Sequence, residues 1–385
     1  MRIPGRATLA GTVRFAARAL STLHTAAAEG SPSLSTAPEG GFRLALGLCL
    51  SSIGFGTYQG EASDQVDACY REALALAIRL GCNVLDTAPN YRGQRSEIVL
   101  GQVVTDLIAA GQVTREELVI ASKGGYIAYR LTRPADPAQY IYDTLVAPGI
   151  VDPEDLAGGI HCLAPDFLSY QISSSLRNTG LRTLDIYYLH DPEIQLAFVD
   201  RTTFRRRLQL AFARLEEEVA AGRIGCYGVA AWEGLRRPPV SEEYLNLEEM
   251  LRLAREVAGP QHHFRAVQFP LNPVMLEAAT LRNQPARDGL VPSLAAAREA
   301  GLTVIVSAAA MQGQRPARVL NILQQAFPTL ESDIQRALQF TRSLPGVTTA
   351  LVGMTCPDHV RENLALLAWP SAAEKAEWVA RALAR

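Results

Sequence analysis

The chain has 385 residues, with 37 Lys and Arg against 39 Asp and Glu for a formal net charge of −2, and its pI is near 6.3. That balance gives no electrostatic footing for nucleic acid or an anionic membrane, and no apolar run reaches the ~20 residues of a membrane-spanning helix. At 48% hydrophobic and 20% charged, the composition is that of a globular protein with room for one large α/β domain or two ordinary ones.

Residues 1–28 carry Arg2, Arg6, Arg14 and Arg18 and no acid before Glu29. Such a segment reads either as an arm packed on the fold or as an organellar transit peptide. The arm is the favoured reading and places the protein in the cytoplasm; the transit peptide would place it in an organelle. "EGSPSLSTAPEGG" follows as a linker, so residues 1–42 form an N-terminal extension and the globular fold begins at residue 43. From Ser51 onward, strand and helix patterns alternate. "SSIGFG" is a strand, and "DQVDACYREALALAIRLG" has helical periodicity up to Gly81. "NVLDTA", a helix over 96–110 and "ELVIASK" come next. Then, after an irregular stretch, come a helix over "FLSYQISSSLRNTG" and the strand "LDIYYLH". The remaining strands are "IGCYGVAA", "FRAVQFPLN", "LTVIVSAAA" and "VTTALVG", with helices at 208–223, 245–257, 292–300, 331–343 and 357–367. Eight strands, each followed by a helix, predict a closed (β/α)8 TIM barrel over residues 43–370, with a C-terminal helix at 371–385. Residues 124–165 are too long for an ordinary βα loop. This insertion, which carries Tyr126 and His161, reads as a pocket wall or lid. The six scattered cysteines lack ligand-like spacing and read as reduced, with no metal site.

Four residues carry the chemistry. Asp86, Tyr91, Lys123 and His190 each sit at or just past the end of a strand, on three successive strands. Neighbouring strands are about 5 Å apart, so the four side chains can meet in one space. A buried lysine needs a charged partner, and Asp86 is the nearest candidate. An ammonium beside a phenol is expected to lower the phenol's pKa from its usual value near 10, and an imidazole can orient a carbonyl. No side chain supplies a hydride, so the set implies a nicotinamide cofactor. "GFGTYQG", with spacing G-x-G-x-x-x-G and no helix opening directly on it, does not fit the Rossmann fingerprint.

From about Leu46 to Leu367 the sequence resembles the aldo-keto reductases, through "SSIGFGTY", "NVLDTAPNY…SE", "VIASKGG", "DIYYLHDPE" and "PGVTTALVG…CPDHVRENL". The resemblance implies Tyr91 as general acid, Lys123 and Asp86 as its tuning pair, and His190 as the group that orients the carbonyl. It implies cofactor contacts from Gly56, Thr57, Tyr58, Gln268 and Ser307, and from Gly353, His359, Glu362 and Asn363 at the adenosine end. Tyr126 and Trp232 are expected in the substrate pocket. Two departures stand out. Ala230-Ala231-Trp232 replaces the usual Ser-Asn, and Ser307-Ala308-Ala309-Ala310 lacks the aromatic ring usual there. Around the expected 2′-phosphate position only Arg361 is cationic, so the cofactor is NADP(H) or NAD(H). The expected partner is a small carbonyl or alcohol, and "YYLHDPE" and "SKGGY" also resemble sugar dehydrogenases of the galactose type. The competing reading is a nucleotide-binding scaffold or regulatory subunit of the same fold. Oligomeric state is not legible.

Overall fold

The computed structural model describes residues 6–27 and 40–384. Residues 29–39 of the expected linker lie outside the described residues. Eight parallel strands close into a barrel: β1 (Ile53–Gly56), β2 (Val84–Asp86), β3 (Val119–Gly124), β4 (Leu184–His190), β5 (Ile224–Ala230), β6 (Phe264–Pro270), β7 (Thr303–Ser307) and β8 (Thr349–Gly353). Each pairs with the next, and β8 pairs with β1. Alternate residues divide the strands' two faces. Val84, Val119, Ala121, Ile186, Tyr188, Ala266 and Ile305 fill the barrel axis, while Leu85, Ile120, Tyr187 and Val267 pack into the layer under the helices. Strands buried on both faces carry near-continuous apolar sequence, which is why they stand out in the chain.

The helices follow the same logic. Asp64–Arg79 starts on Ser63, whose hydroxyl accepts from the Val66 amide, and Pro165–Thr179 stops at Gly180 in the left-handed region (φ 67°). Asp200 caps Arg201–Ala220, so that helix begins several residues before the apolar periodicity at 208. Two elements have no clear sequence signal: the hairpin of Arg282–Ala286 with Gly289–Pro292, and the helix Ala317–Ala326. Both are short and lie between stronger elements.

The bottom of the barrel is closed by a hairpin, Phe42–Ala45 with Leu48–Ser51, whose Leu48 and Leu50 join the interior cluster. Below it lies the N-terminal helix Leu9–Ala27, with Thr12, Phe15 and Ala16 buried. The Cys49 amide donates to Thr12 Oγ1 (2.9 Å), and the Ala7 amide donates to Asp185 Oδ1 (3.2 Å). Residues 6–18 thus form an arm packed on the barrel's N-terminal face. At the other terminus, the helix Ala373–Leu383 packs against the helices Ala317–Ala326 and Asp333–Ser343, and the Ala372 amide before it donates to Ser343 Oγ (3.1 Å). No helix of the described residues is long and apolar enough to cross a membrane. The six cysteines are free, four of them buried.

The insertion between β3 and Pro165–Thr179 has its own apolar cluster of Ile127, Ile141, Leu145, Val151, Cys162 and Phe167. An antiparallel bridge between Tyr126 and His161 ties its two ends together, and His161 reaches the end of β4 at the His190 carbonyl. Tyr126 is its one residue in the lining of the cavity described next.

Candidate active site

The C-terminal strand ends bring Asp86, Tyr91, Lys123 and His190 together. Lys123 is fully buried (0% exposed). Its Nζ donates to Asp86 Oδ1 and to the Thr87 carbonyl (3.1 Å). Asp86 Oδ2 accepts from Gln268 Nε2 (2.8 Å), so both carboxylate oxygens are engaged and their direction is fixed. The Lys123 ammonium lies 4.8 Å from the centroid of the Tyr91 ring, and the rings of Tyr91 and His190 meet edge-on at 5.7 Å.

Tyr91 is presented by an unusual turn. Arg92, Gly93 and Gln94 all have positive φ (50°, 61° and 70°), a region L-residues enter at a cost. Arg92 ties this turn down: it donates to Asp67 Oδ1 (2.5 Å) and to the Glu61 carbonyl (3.0 Å), and it lies over the Tyr70 ring. Arg95 binds the other oxygen of Asp67.

Electrostatics hold the phenol and the imidazole neutral. Burial, followed by the carboxylates of Asp86 and Asp191, keeps the Tyr91 hydroxyl well above its ordinary pKa. The lowering expected from Lys123 is therefore not what the chain's own groups produce, because the two carboxylates and the dry surroundings outweigh one ammonium already paired with Asp86. Burial, then Lys123 and His161, hold His190 well below the usual imidazole range.

His190 is braced from the insertion. His161 Nε2 donates to the His190 carbonyl (2.7 Å), its Nδ1 accepts from Gln195 Nε2 (2.9 Å), and Gln195 Oε1 accepts from Arg207 (2.5 Å). The Tyr126 ring sits edge-on to both His161 and His190, at 5.3 and 5.0 Å. The glycine pair of "SKGGY" lets His161 approach at Gly125 and Tyr187 at Gly124. A Cβ on Gly125, at φ +135°, would lie 2.6 Å from His161 Nε2, and one on Gly124 would lie 2.2 Å from the Tyr187 hydroxyl.

A cavity of about 1010 Å³ opens over these groups, at the upper limit of small-molecule pockets (roughly 300–1,000 Å³). Asp86, Tyr91 and His190 line it, as do Tyr126 and Trp232. So does each expected cofactor contact: Gly56, Thr57, Tyr58, Gln268, Ser307, Gly353, His359, Glu362 and Asn363. Two helix starts, those of Asp333–Ser343 and Pro357–Leu364, border the far part, and free N–H groups there suit phosphate. Asn363 is buried with its Oδ1 unpartnered among the described residues, which leaves an acceptor for a ligand's N–H.

Several lining residues escaped the sequence reading. Asp191 directly follows His190 and sat in plain view within "LHDPE". Arg315 and Arg336 also line the cavity, far from any motif, whereas Arg361 pairs with Asp358 on an exposed helix face outside it. Among the described residues no cluster of His, Cys, Asp and Glu could hold a metal.

Residues 52–237 match the model of the aldo/keto reductase family. That match, just under half of the chain, takes in β1 to β5 and with them Asp86, Tyr91, Lys123 and His190. Over 351 residues it is 23% identical to the NADH-specific methylglyoxal reductase of Escherichia coli K12, covering 83% of this chain and 90% of that protein. Among solved structures, an aldo/keto reductase from Klebsiella pneumoniae in complex with NADP and acetate is 20% identical, with TM-score 0.60 over 89% of this chain and 95% of that one. The glycerol dehydrogenase of Gluconobacter oxydans is 17% identical, with TM-score 0.62 over 91% of this chain and 96% of that one. These likenesses show that the aldo/keto reductase fold extends over nearly the whole chain.

Proposed function

We propose that this chain interconverts a small carbonyl compound and its alcohol by hydride transfer with NAD(P)(H), with Tyr91 as the general acid and base. The observation that carries the reading is a phenol and an imidazole meeting edge-on in the lining of one large cavity, beside a buried Lys–Asp pair. A bound reduced nicotinamide supplies the hydride, which no side chain can. Tyr91 keeps its proton in the resting site and donates it as negative charge develops on the substrate oxygen. Lys123, fixed by Asp86 and Thr87, provides the positive charge that stabilises the phenolate left behind. His190 directs a ring N–H at the same oxygen and orients the carbonyl.

The cofactor contacts follow the cavity. Gly56 ends β1 and Thr57 and Tyr58 follow it, Gln268 lies near the end of β6, and Ser307 ends β7. Gly353, His359, Glu362 and Asn363, with the two helix starts, serve the phosphate-bearing end. Both cofactors find matching groups. Arg315 offers a cation to a 2′-phosphate, whereas Glu331, Asp333 and Glu362 offer acceptors to an unmodified ribose diol. The Escherichia coli relative is NADH-specific by name, and the Klebsiella structure holds NADP.

The test follows absorbance of the reduced nicotinamide against a carbonyl panel, with NADH and NADPH at equal concentration, for wild type and Tyr91→Phe. Wild type turns over, and the variant loses at least about a hundredfold in kcat, the low end for general acid catalysis, while still binding cofactor. Full activity in the variant removes Tyr91 from its role. Cofactor binding without turnover by wild type replaces the enzyme reading with that of a nucleotide-binding scaffold.

A further inference from the structure

Asp191 has an environment that the proton-transfer roles above do not use. It lies one residue past the end of β4 at φ 44°, a left-handed conformation that Asp, Asn and Gly accept more readily than other residues. Its backbone N–H donates to the Ala230 carbonyl (2.6 Å), which fixes it against the end of β5. The side chain lines the cavity, with Oδ2 3.9 Å from His190 Nε2. Oδ2 also accepts from the Tyr126 hydroxyl (2.9 Å); burial raises the Asp191 pKa to about 6, opposed by the Tyr126 hydroxyl and the backbone N–H of Trp232. A carboxylate has about four acceptor positions, so two engaged donors leave capacity for a ligand.

The surroundings fix the sign of the site. Asn90, on the same cavity lining, has a buried carboxamide oxygen with no partner among the described residues. Lys123 is fully buried against Asp86 and does not line the cavity. Arg92 is committed to Asp67. Arg315 and Arg336 come from the chain after β7, three strands round the barrel from β4. The space beside His190 thus holds the Asp191 carboxylate and, among the described residues, no free cation. A substrate hydroxyl finds partners there, and a substrate carboxylate meets like charge.

Resting on the carbonyl–alcohol reading above, we propose that Asp191 is the specificity-determining residue of this site. It accepts a hydroxyl of a neutral, hydroxylated carbonyl substrate and turns away carbonyls that bear a carboxylate. The role is one of binding: it moves no proton in the reaction and leaves the assignments of Tyr91 and His190 unaltered. It also explains the link between Tyr126 and Trp232. The carboxylate holds the insertion and the β5 loop in place around whatever it binds.

Three aldehydes separate the terms: glyceraldehyde, propionaldehyde of the same chain length without hydroxyls, and anionic glyoxylate. They are compared by kcat/KM in wild type, Asp191→Asn and Asp191→Gly, both of which tolerate positive φ. Wild type prefers glyceraldehyde to propionaldehyde. Asp191→Gly lowers that ratio about tenfold, the order of one hydrogen bond to a charged group. Asp191→Asn, which keeps an acceptor and loses the charge, raises glyoxylate relative to propionaldehyde by about tenfold. Saturation-transfer NMR of glycerol and 1-propanol on the same three proteins reads binding without turnover. Glycerol is favoured by wild type, and this preference is lost in Asp191→Gly. Unchanged ratios in enzymes that still reduce aldehydes overturn the role of Asp191 and leave the reductase reading intact. Selective glycerol binding that depends on Asp191, without turnover, supports Asp191 as a polyol acceptor and overturns the reductase reading. Absence of both overturns both.

Discussion

Burial acts on Tyr91 and on His161 through the same physics and moves their pKa values in opposite directions. Each is held neutral, the phenol by retaining its proton and the imidazole by not gaining one. For His161, burial pushes the pKa down to about 4 from its usual value of 6.5, partly opposed by the hydrogen bond to the His190 carbonyl. Its folded pKa lies below its unfolded one, so between these values the unfolded chain binds more protons. The stabilisation is complete above pH 6.5 and is lost as the pH falls toward 4. A shift of about 2.5 units corresponds to roughly 3 kcal/mol. Glu193 works against this in wild type, because burial raises its pKa and favours the fold as the pH falls. The difference between wild type and His161→Gln isolates the histidine. Urea unfolding at pH 8, 6 and 4.5 should show the variant's deficit shrinking by most of that amount on acidification. A deficit independent of pH would mean that His161 does not titrate in the unfolding reaction.

At the scale of elements, the Tyr91 turn shows what a motif can and cannot announce. The sequence places Tyr91 past a strand end, and the strand alternation makes its meeting with Lys123 and His190 foreseeable. The three left-handed residues that follow Tyr91 have only one glycine among them, so no turn signature marks them. The restraint comes from Asp67, on the preceding helix Asp64–Arg79, whose carboxylate holds both Arg92 and Arg95. The direction of the Tyr91 pKa was equally hidden, since it depends on Asp191 and on burial, both set by the folded loops. Asp67→Ala removes the anchor and leaves buried Arg92 without its counter-charge, a defect worth about 3–5 kcal/mol when fully buried. The turn should loosen before the barrel does. We expect faster amide exchange over residues 90–95 and at least a tenfold fall in kcat, with a smaller change in cofactor affinity. Unchanged exchange in that segment would show that the turn holds itself without Asp67.

At the scale of the whole molecule, the barrel was legible because eight doubly buried strands leave eight apolar runs, and the closing β8–β1 contact follows from their number. The base of the barrel was not legible in the same way. Arginines and alanines in residues 1–28 satisfy both a targeting segment and a packed arm. The described part of this arm buries Ala7, Thr12, Phe15 and Ala16, and the Thr8 amide donates to the Glu116 carbonyl (3.1 Å). A Cβ on Gly11 would lie 2.6 Å from that same carbonyl oxygen, so helix and loop are in close contact. Burying one phenylalanine is worth about 1.5–3 kcal/mol, and the hydrogen bonds of Ala7, Thr8 and Thr12 add about 1 kcal/mol each. Deleting residues 2–27 should therefore lower unfolding free energy by roughly 4.5–6 kcal/mol, and Phe15→Ala alone should cost about 3 kcal/mol. Both changes lie at the opposite end of the barrel from Tyr91 and Lys123. In the folded fraction, kcat should stay within about twofold of wild type while the urea midpoint falls. An unchanged midpoint for the truncated chain would show that the arm rests on the barrel without stabilising it, and a lost kcat with the midpoint intact would couple the two ends of the barrel.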